Sequence, residues 1–403
     1  MIIPKGRKFF VYKAVFSTGE RFPVVLHTDS LQPAVLATRY IIDERRETRQ
    51  ASTLEREVRV LCWLYEWCSF VGVHLETRLR SGESLSSKQI QGFSRWVRSG
   101  RQDKLVGTIG KVNAASGSMA VVLQPRTFNS YLSTIESFLV WAADEFIPKT
   151  DSSDDIRRSL RGVKRKIRRS FKAFKAVESV ERARRYGLTD GELDELRKLT
   201  MPRGKLNPFR KQIQNRNHLI FETMLATGVR AGELLKIRLQ DLPRGPKQTV
   251  SIVRQPDDAK DPRKDEPRVK TRSREIPIPR KLATELVKYV QQDRGQCDHP
   301  YLFVSSRGKV PLSRAGLSKF FLALQRHFQV SERRIHPHLL RHTFNDLLMD
   351  RAKQVGMSDD VRVKVQNFLC GWVEGSSQSE VYTRRFVEAE AWQLIGKYQE
   401  ALW

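Results

Sequence analysis

A chain of 403 residues exceeds one ordinary domain and predicts two or three. Lys and Arg number 73 against 45 Asp and Glu, a formal charge of +28, and so large a surplus calls for a polyanionic partner, either nucleic acid or an acidic membrane surface. No apolar run reaches the roughly 18 residues of a membrane helix, and the opening MIIPKGRKFF lacks the apolar core of a signal peptide. The expectation is a cytoplasmic protein beside nucleic acid, nucleoid-associated if bacterial, with no membrane partner. Cys62, Cys68, Cys297 and Cys370 form no Cys-x-x-Cys pair and sit in apolar patterns, which argues against zinc and disulfides.

In chain order, KFFVYKAVF and FPVVLH are strand-like and flank the turn-like Ser17-Thr-Gly19. Residues 1–50 therefore read as an N-terminal extension with β content, which either serves DNA or protomer contact or simply extends the helical domain behind it. From Ser52 the period changes. Leu54, Val58, Leu61, Tyr65 and Cys68 recur at steps of four and three, one face of an amphipathic helix. A shorter helix is expected over 89–97, then a Gly/Ala/Ser-rich loop to about Gln124. Phe128, Leu132, Ile135, Leu139 and Ala142 mark a further helix, so 51–150 reads as a small helical domain.

Residues 157–175 carry ten basic side chains and no acidic one, while Leu160, Val163, Ile167, Phe171 and Phe174 keep helical spacing. One face packs and the rest is densely cationic. Within 151–187, read as a basic linker, Arg161, Lys164, Arg165, Lys166, Arg168 and Arg169 are the candidate DNA contacts, and a solvated linker helix is the alternative.

A second domain is expected over 188–403. It opens on Thr189-Asp-Gly-Glu192, a capping-box pattern. Helices are expected over 212–226, 231–239, 280–292, 313–328, 338–353, 359–370 and 386–401, with strands at TVSIV (249–253) and REIPIP (274–279) around a charged loop. The fold class is thus mainly α with a small antiparallel β-sheet.

Four segments of this domain bear chemistry: ATGVRAGELLKIRLQDL (226–242), VKTRSREIPIP (269–279), HPHLLRHTF (336–344) and FLCGWVEGSSQSEVYTRR (368–385). Singly, each is explained by ordinary structure. Arg230 and Glu233 have the spacing of a helix-surface pair, and Lys270 is one of many lysines. A tyrosine such as Tyr382 more often packs than reacts. In order, however, they resemble the tyrosine recombinase (phage integrase) family over about 190–390. Its Thr-Gly-x-Arg-x-x-Glu-Leu motif reads Thr227-Gly-Val-Arg230-Ala-Gly-Glu233-Leu. Its lysine before an Ile-Pro-Leu-Pro-like strand corresponds to Lys270 before Ile276-Pro-Ile-Pro279. Its His-x-x-Arg-His box reads His338-Leu-Leu-Arg341-His342. The family's Leu-Gly-His motif is changed here, because Trp372 follows Gly371, and Tyr382 stands ten residues further on, one more than the common spacing. Some members use Trp at this place, but an indole N–H only donates and does not shuttle protons.

The resemblance implies a two-domain DNA clamp, a helical core-binding domain followed by the catalytic domain, acting in DNA recombination and DNA integration as part of a mobile element. It implies a transesterification in which Tyr382 attacks a phosphodiester to give a 3′-phosphotyrosine and a free 5′-hydroxyl, without ATP, metal or other cofactor. Arg230 and Arg341 would hold the non-bridging oxygens, His338 would assist the proton of the phenol, Lys270 on a mobile hairpin would protonate the leaving oxygen, and Trp372 would bond a phosphate oxygen. Glu233 and His342 would support the site, with a structural role for His342 equally open and His336 read as structural. Tyr398, in the apolar pattern Trp392, Ile395, Leu402, is the rival tyrosine and reads as packing. The last helix either docks on a neighbouring protomer or folds back on its own domain. Expected partners are double-stranded DNA and further copies of the chain, a tetramer in synapsis, with partner recombinases or a directionality factor left open. The alternatives are a type IB topoisomerase-like or telomere-resolving enzyme, or a catalytically silent DNA-binding regulator. The DNA target and the choice among integration, excision, resolution and transposition are not readable from the sequence.

Overall fold

A computed structural model describes residues 6–81, 83–99, 123–146, 154–177, 186–243, 248–306 and 310–372. Side chains of helix 154–174 are described from Arg161 onward. The expected loop before Gln124 falls largely outside these residues, as do Tyr382, Tyr398 and the expected helix over 386–401. The chain divides into two compact units, 1–182 and 183–403. The described part is mostly helical with two small antiparallel sheets.

In the first unit, β1 (Phe9–Val15) and β2 (Arg21–His27) pair antiparallel, with Phe9 opposite His27 and Val15 opposite Arg21. Their hairpin packs on α2 (Ala51–Phe70), where the whole predicted stripe Leu54, Val58, Leu61, Tyr65 and Cys68 is buried. Phe9 meets the Tyr65 ring edge-on, with centroids 5.3 Å apart. Between hairpin and α2, α1 (Val35–Tyr40) runs into a π-helical turn, Ile41–Arg45, that hydrophobic spacing did not announce. A short α3 (Leu75–Arg80) supplies Glu76, whose carboxylate accepts from the Tyr65 hydroxyl at 2.9 Å and the Leu36 amide at 3.0 Å. The Tyr65 pKa rises well above its ordinary value through burial and the adjacent Glu76 charge. α4 (Ser87–Arg98) starts at a capping box made by Ser86 and Gln89. α5 (Pro125–Phe146) buries Phe128, Leu132, Ile135, Leu139 and Ala142.

The basic segment forms α6 (Asp154–Phe174). Ile167 and Phe171 enter the same core as Phe9, Leu36 and Leu61, so 1–50 and the expected linker both contribute to one hydrophobic centre. Burying such a side chain stabilises by about 1.5–3 kcal/mol, and that is what holds the cationic helix to its unit. Arg161, Arg165, Lys166, Arg168 and Arg169 are exposed, whereas Lys164 is half-buried and ion-paired with Asp144.

In the second unit, α7 (Asp190–Thr200) begins at the predicted capping box: the Thr189 hydroxyl accepts from the Glu192 amide, and the Glu192 carboxylate accepts from the Thr189 amide. α8 (Lys211–Thr227) is the central helix, with Ile220, Phe221 and Met224 fully buried. Around it lie α9 (Ala231–Lys236), the strand pair β3 (Thr249–Ile252) and β4 (Arg274–Pro277), α10 (Arg280–Gln292), α11 (Arg314–His327), α12 (Pro337–Gln354) and α13 (Asp359–Cys370). β3 and β4 are antiparallel, with Thr249 opposite Pro277. Cys62, Cys68 and Cys370 are buried free thiols, and Cys297 is half-buried. No described helix is long and apolar enough to cross a membrane.

Candidate active site

Three local devices bring distant parts of the second unit together. α8 stops because Gly228 takes a left-handed conformation, φ +60°, at its C-terminus. A Cβ at Gly228 would stand 2.2 Å from the Phe344 ring on α12, so only glycine allows both the turn and this close approach. α13 ends the same way at Gly371, φ +66°, where a Cβ would lie 2.8 Å from both Arg274 and Thr271. α12 starts at His336, whose Nδ1 accepts from the Leu339 amide at 3.3 Å, with Pro337 in the first turn. This is a structural task for His336, as its place ahead of the box suggested.

Arg230 caps α9, and its backbone amide donates to Glu233 Oε2 at 3.0 Å. Its side chain reaches Glu233 Oε1 at 3.3 Å. Yet Glu233 is no surface partner, since its side chain is fully buried. It also accepts from Arg274 Nη2 at 2.9 Å and Thr271 Oγ1 at 2.7 Å. Burial pushes the Glu233 carboxyl up, but Arg274, Arg341 and the Thr271 hydroxyl pull it below the usual carboxylate range. Arg341, 1 % exposed, donates to the carbonyls of Gly228 at 2.6 Å and Cys370 at 3.2 Å. Its guanidinium carbon sits 5.2 Å from the Trp372 ring centre, a cation–π distance. Trp372 packs with Cys370 and Phe344, and its amide donates to the Asn367 carbonyl at 2.9 Å. Desolvation, and then the neighbouring Arg341, push the Arg230 guanidinium below its ordinary pKa. Like charges are thus held side by side, with Arg230, Arg274 and Arg341 gathered around one buried carboxylate.

Of the residues singled out in the sequence, Arg230, Glu233, Arg341 and Trp372 meet here. Lys270 is exposed in an extended stretch whose neighbours Val269 and Thr271 are buried, and Thr271 ties that stretch directly to Glu233. The segment expected as a mobile hairpin is therefore bonded to the site. His338 is exposed on α12, one turn before Arg341, and His342 is buried on the same helix. Tyr382 lies outside the described residues. Sequence reading passed over Arg274, Thr271 and Asn345. Arg274 was detectable: strand alternation sets it on the face of Ile276 and Ile278, and an inward arginine demands an acid. Asn345 holds the Arg341 carbonyl at 2.8 Å and takes the Gln366 amide at 2.9 Å, joining α12 to α13. Among the described residues no His, Cys, Asp and Glu cluster has the form of a metal site.

The phage integrase family model matches residues 200–384. The tyrosine recombinase XerA of Pyrococcus furiosus is 26% identical over 247 residues, covering 59% of this chain and 74% of that protein. The tyrosine recombinase XerD of Halalkalibacterium halodurans is 30% identical over 170 residues, covering 41% of this chain and 48% of that protein. Among solved structures, the Tn1549 transposon integrase in complex with circular intermediate DNA aligns with 89% of this chain and 98% of that one, at 15% identity and a TM-score of 0.47. A lambda integrase dimer bound to a COC′ core site aligns with 87% of this chain and 77% of that one, at 14% identity and a TM-score of 0.45. Residues 200–384, which hold Arg230, Lys270, His338, Arg341, Trp372 and Tyr382, are thus the part of the chain that matches the phage integrase family, and both of these curated relatives are tyrosine recombinases.

Proposed function

We propose that this protein is a site-specific DNA recombinase that cuts and rejoins duplex DNA through a covalent 3′-phosphotyrosine. The observation that carries the reading is the gathering of Arg230, Arg274 and Arg341 about the single buried carboxylate of Glu233. That arrangement leaves an excess of fixed positive charge, with Arg230 a quarter exposed. Preorganised guanidiniums of this kind favour an anion whose charge grows in the transition state, as at a phosphodiester under attack.

In the proposed step the Tyr382 phenolic oxygen forms a bond to phosphorus, and the bond from phosphorus to the 5′-oxygen breaks. The phenol proton leaves with help from His338, and Lys270 supplies the proton that the 5′-oxygen takes. One phosphoester replaces another, so the reverse attack by a 5′-hydroxyl reseals the strand with no nucleotide consumed. Arg230 and Arg341 hold the non-bridging oxygens, and Trp372 packs on Arg341 to keep its guanidinium aimed. Glu233 orients the arginines rather than reacting. The exposed arginines of α6 and Lys166 contact the DNA backbone, and copies of the chain assemble on DNA as a tetramer during exchange.

The test uses nicked duplexes from the ends of the element that encodes the chain. Wild type is expected to form an SDS-resistant adduct, and Tyr382→Phe is expected to bind the same DNA without forming one. Tight binding by both with no adduct in either would favour a silent DNA-binding regulator.

A further inference from the structure

The connection between β3 and β4 is long and charged, and it buries several of its charged side chains, which is unusual for a loop. Asp258, Asp261, Arg263 and Glu266 are each under 10 % exposed. They surround Lys236, the last residue of α9, whose ammonium lies 2.6 Å from Glu266, 3.6 Å from Asp261 and 3.7 Å from Asp258. Arg263 forks onto Asp261 at 2.9 and 2.7 Å, and its Nη1 donates to the Leu235 carbonyl of α9 at 3.0 Å. Arg238 reaches Asp258 at 2.6 Å, and the Tyr301 hydroxyl donates to Asp258 at 2.5 Å. Further along, Gly232 of α9 faces the Arg268 carbonyl so closely that a Cβ would stand 2.2 Å from it. Thr271 then bonds Glu233 at 2.7 Å. Lys270 lies between these two contacts.

Buried ion clusters add little net stability over apolar packing, because desolvation offsets their attraction; what they fix is geometry. We propose that α9 and this cluster position Lys270: Lys236, Gly232 and Glu233 pin the chain before and after it, so that its ammonium meets the departing 5′-oxygen. The proposal deepens the recombinase reading and rests on it. Lys236, Asp258, Asp261, Arg263 and Glu266 are positioning residues that act through Lys270.

The decisive probe is the cleavage site mapped from the wild-type adduct, made once with ordinary DNA and once with sulfur replacing the bridging 5′-oxygen. A thiolate departs without a proton, since thiols have a pKa of about 8.5. On ordinary DNA, Lys270→Ala loses on the order of 100-fold or more in cleavage rate, as expected for a missing general acid. Gly232→Ala, whose methyl must displace the Arg268 carbonyl, and Lys236→Met each lose about 100-fold, as for an acid misplaced by an ångström. On the sulfur-bridged DNA all three recover to near the wild-type rate. Tyr382→Phe stays inactive on both. If Lys270→Ala recovers while Gly232→Ala and Lys236→Met do not, the positioning proposal is wrong and the recombinase reading stands. If wild type forms no adduct from which a cleavage site can be mapped, the recombinase reading fails and takes the proposal with it. Amide exchange of the full-length chain without DNA keeps a folding defect distinct: Lys236→Met accelerates exchange across 266–271 and leaves α8 protected. Equal exchange in both proteins would also overturn the proposal.

Discussion

Replacing Glu233 by Gln keeps the side-chain shape and removes one charge. In the folded protein that charge faces Arg274 at 2.9 Å and Arg230 at 3.3 Å, and it sits within the field of Arg341. Arg274 is 2 % exposed at its side chain and Arg341 1 %, so water does little to replace the missing partner. Breaking a buried pair on one side costs about 3–5 kcal/mol. For a unit of this size each kcal/mol lowers Tm by roughly 2–4 °C, which predicts a drop of about 6–20 °C in the transition of the second unit. The destabilisation comes from repulsion among guanidiniums, so an anion that sits between them should return part of it. Calorimetry of Glu233→Gln against wild type, with and without sulfate, measures both. A shift below about 2 °C, or a shift that sulfate leaves unchanged, would refute the assignment of Glu233 as the charge that holds the arginines together.

Stability should also depend on pH in a definite direction. Burial raises the carboxyls of Glu233, Asp258 and Asp261, but their arginine, lysine and hydrogen-bonding partners outweigh it, and each ends below its ordinary pKa. Folded carboxyls then bind fewer protons than unfolded ones, so stability is present above the unfolded values of about 3.9 to 4.3 and is lost as pH falls through the lower folded ones. Thermal scans should be flat in this respect above about pH 5 and decline below about pH 4; stability that rises on acidification contradicts the network. For α6, the triple change of Arg165, Arg168 and Arg169 to Ala should flatten the slope of log affinity against log salt by roughly 2–3, about 0.9 for each phosphate no longer neutralised. An unchanged slope would make α6 a solvated helix.

Much of the fold could be read from the sequence because periodicity reports burial directly. The stripe from Leu54 to Cys68 and that from Phe128 to Ala142 are buried as spaced. The two bonds of the Thr189–Glu192 cap join residues three apart, which is why four residues suffice to predict it, whereas the bonds Glu192 also takes from Ser331 and Arg333 are not visible in that spacing. What escaped depends on residues far apart in the chain. Ile167 and Phe171 join the core that Phe9 belongs to, so a segment that looks like a linker is structural. α1 and α3 are too short for their period to register over a window of 11–18 residues. At the site, motif spacing marked Arg230, Glu233 and Arg341, but Glu233 has the spacing of a surface partner, and only the fold encloses it with Arg274 and Thr271. The charged stretch 254–268 looks solvated in sequence because two of its partners, Lys236 at the end of α9 and Arg238 just beyond it, lie outside the stretch.

The identity of the nucleophile is the central claim, and the chain's own tryptic sites let it be measured directly. Cleavage after Lys364 and Arg384 isolates Tyr382 in peptide 365–384, whereas cleavage after Lys397 isolates Tyr398 in 398–403. The adduct formed with nicked element-end DNA is digested with nuclease and trypsin and analysed by mass spectrometry. A 3′-nucleotide remnant on Tyr382 in peptide 365–384 is the predicted result. A remnant on 398–403, or an adduct that persists in Tyr382→Phe, would contradict the account.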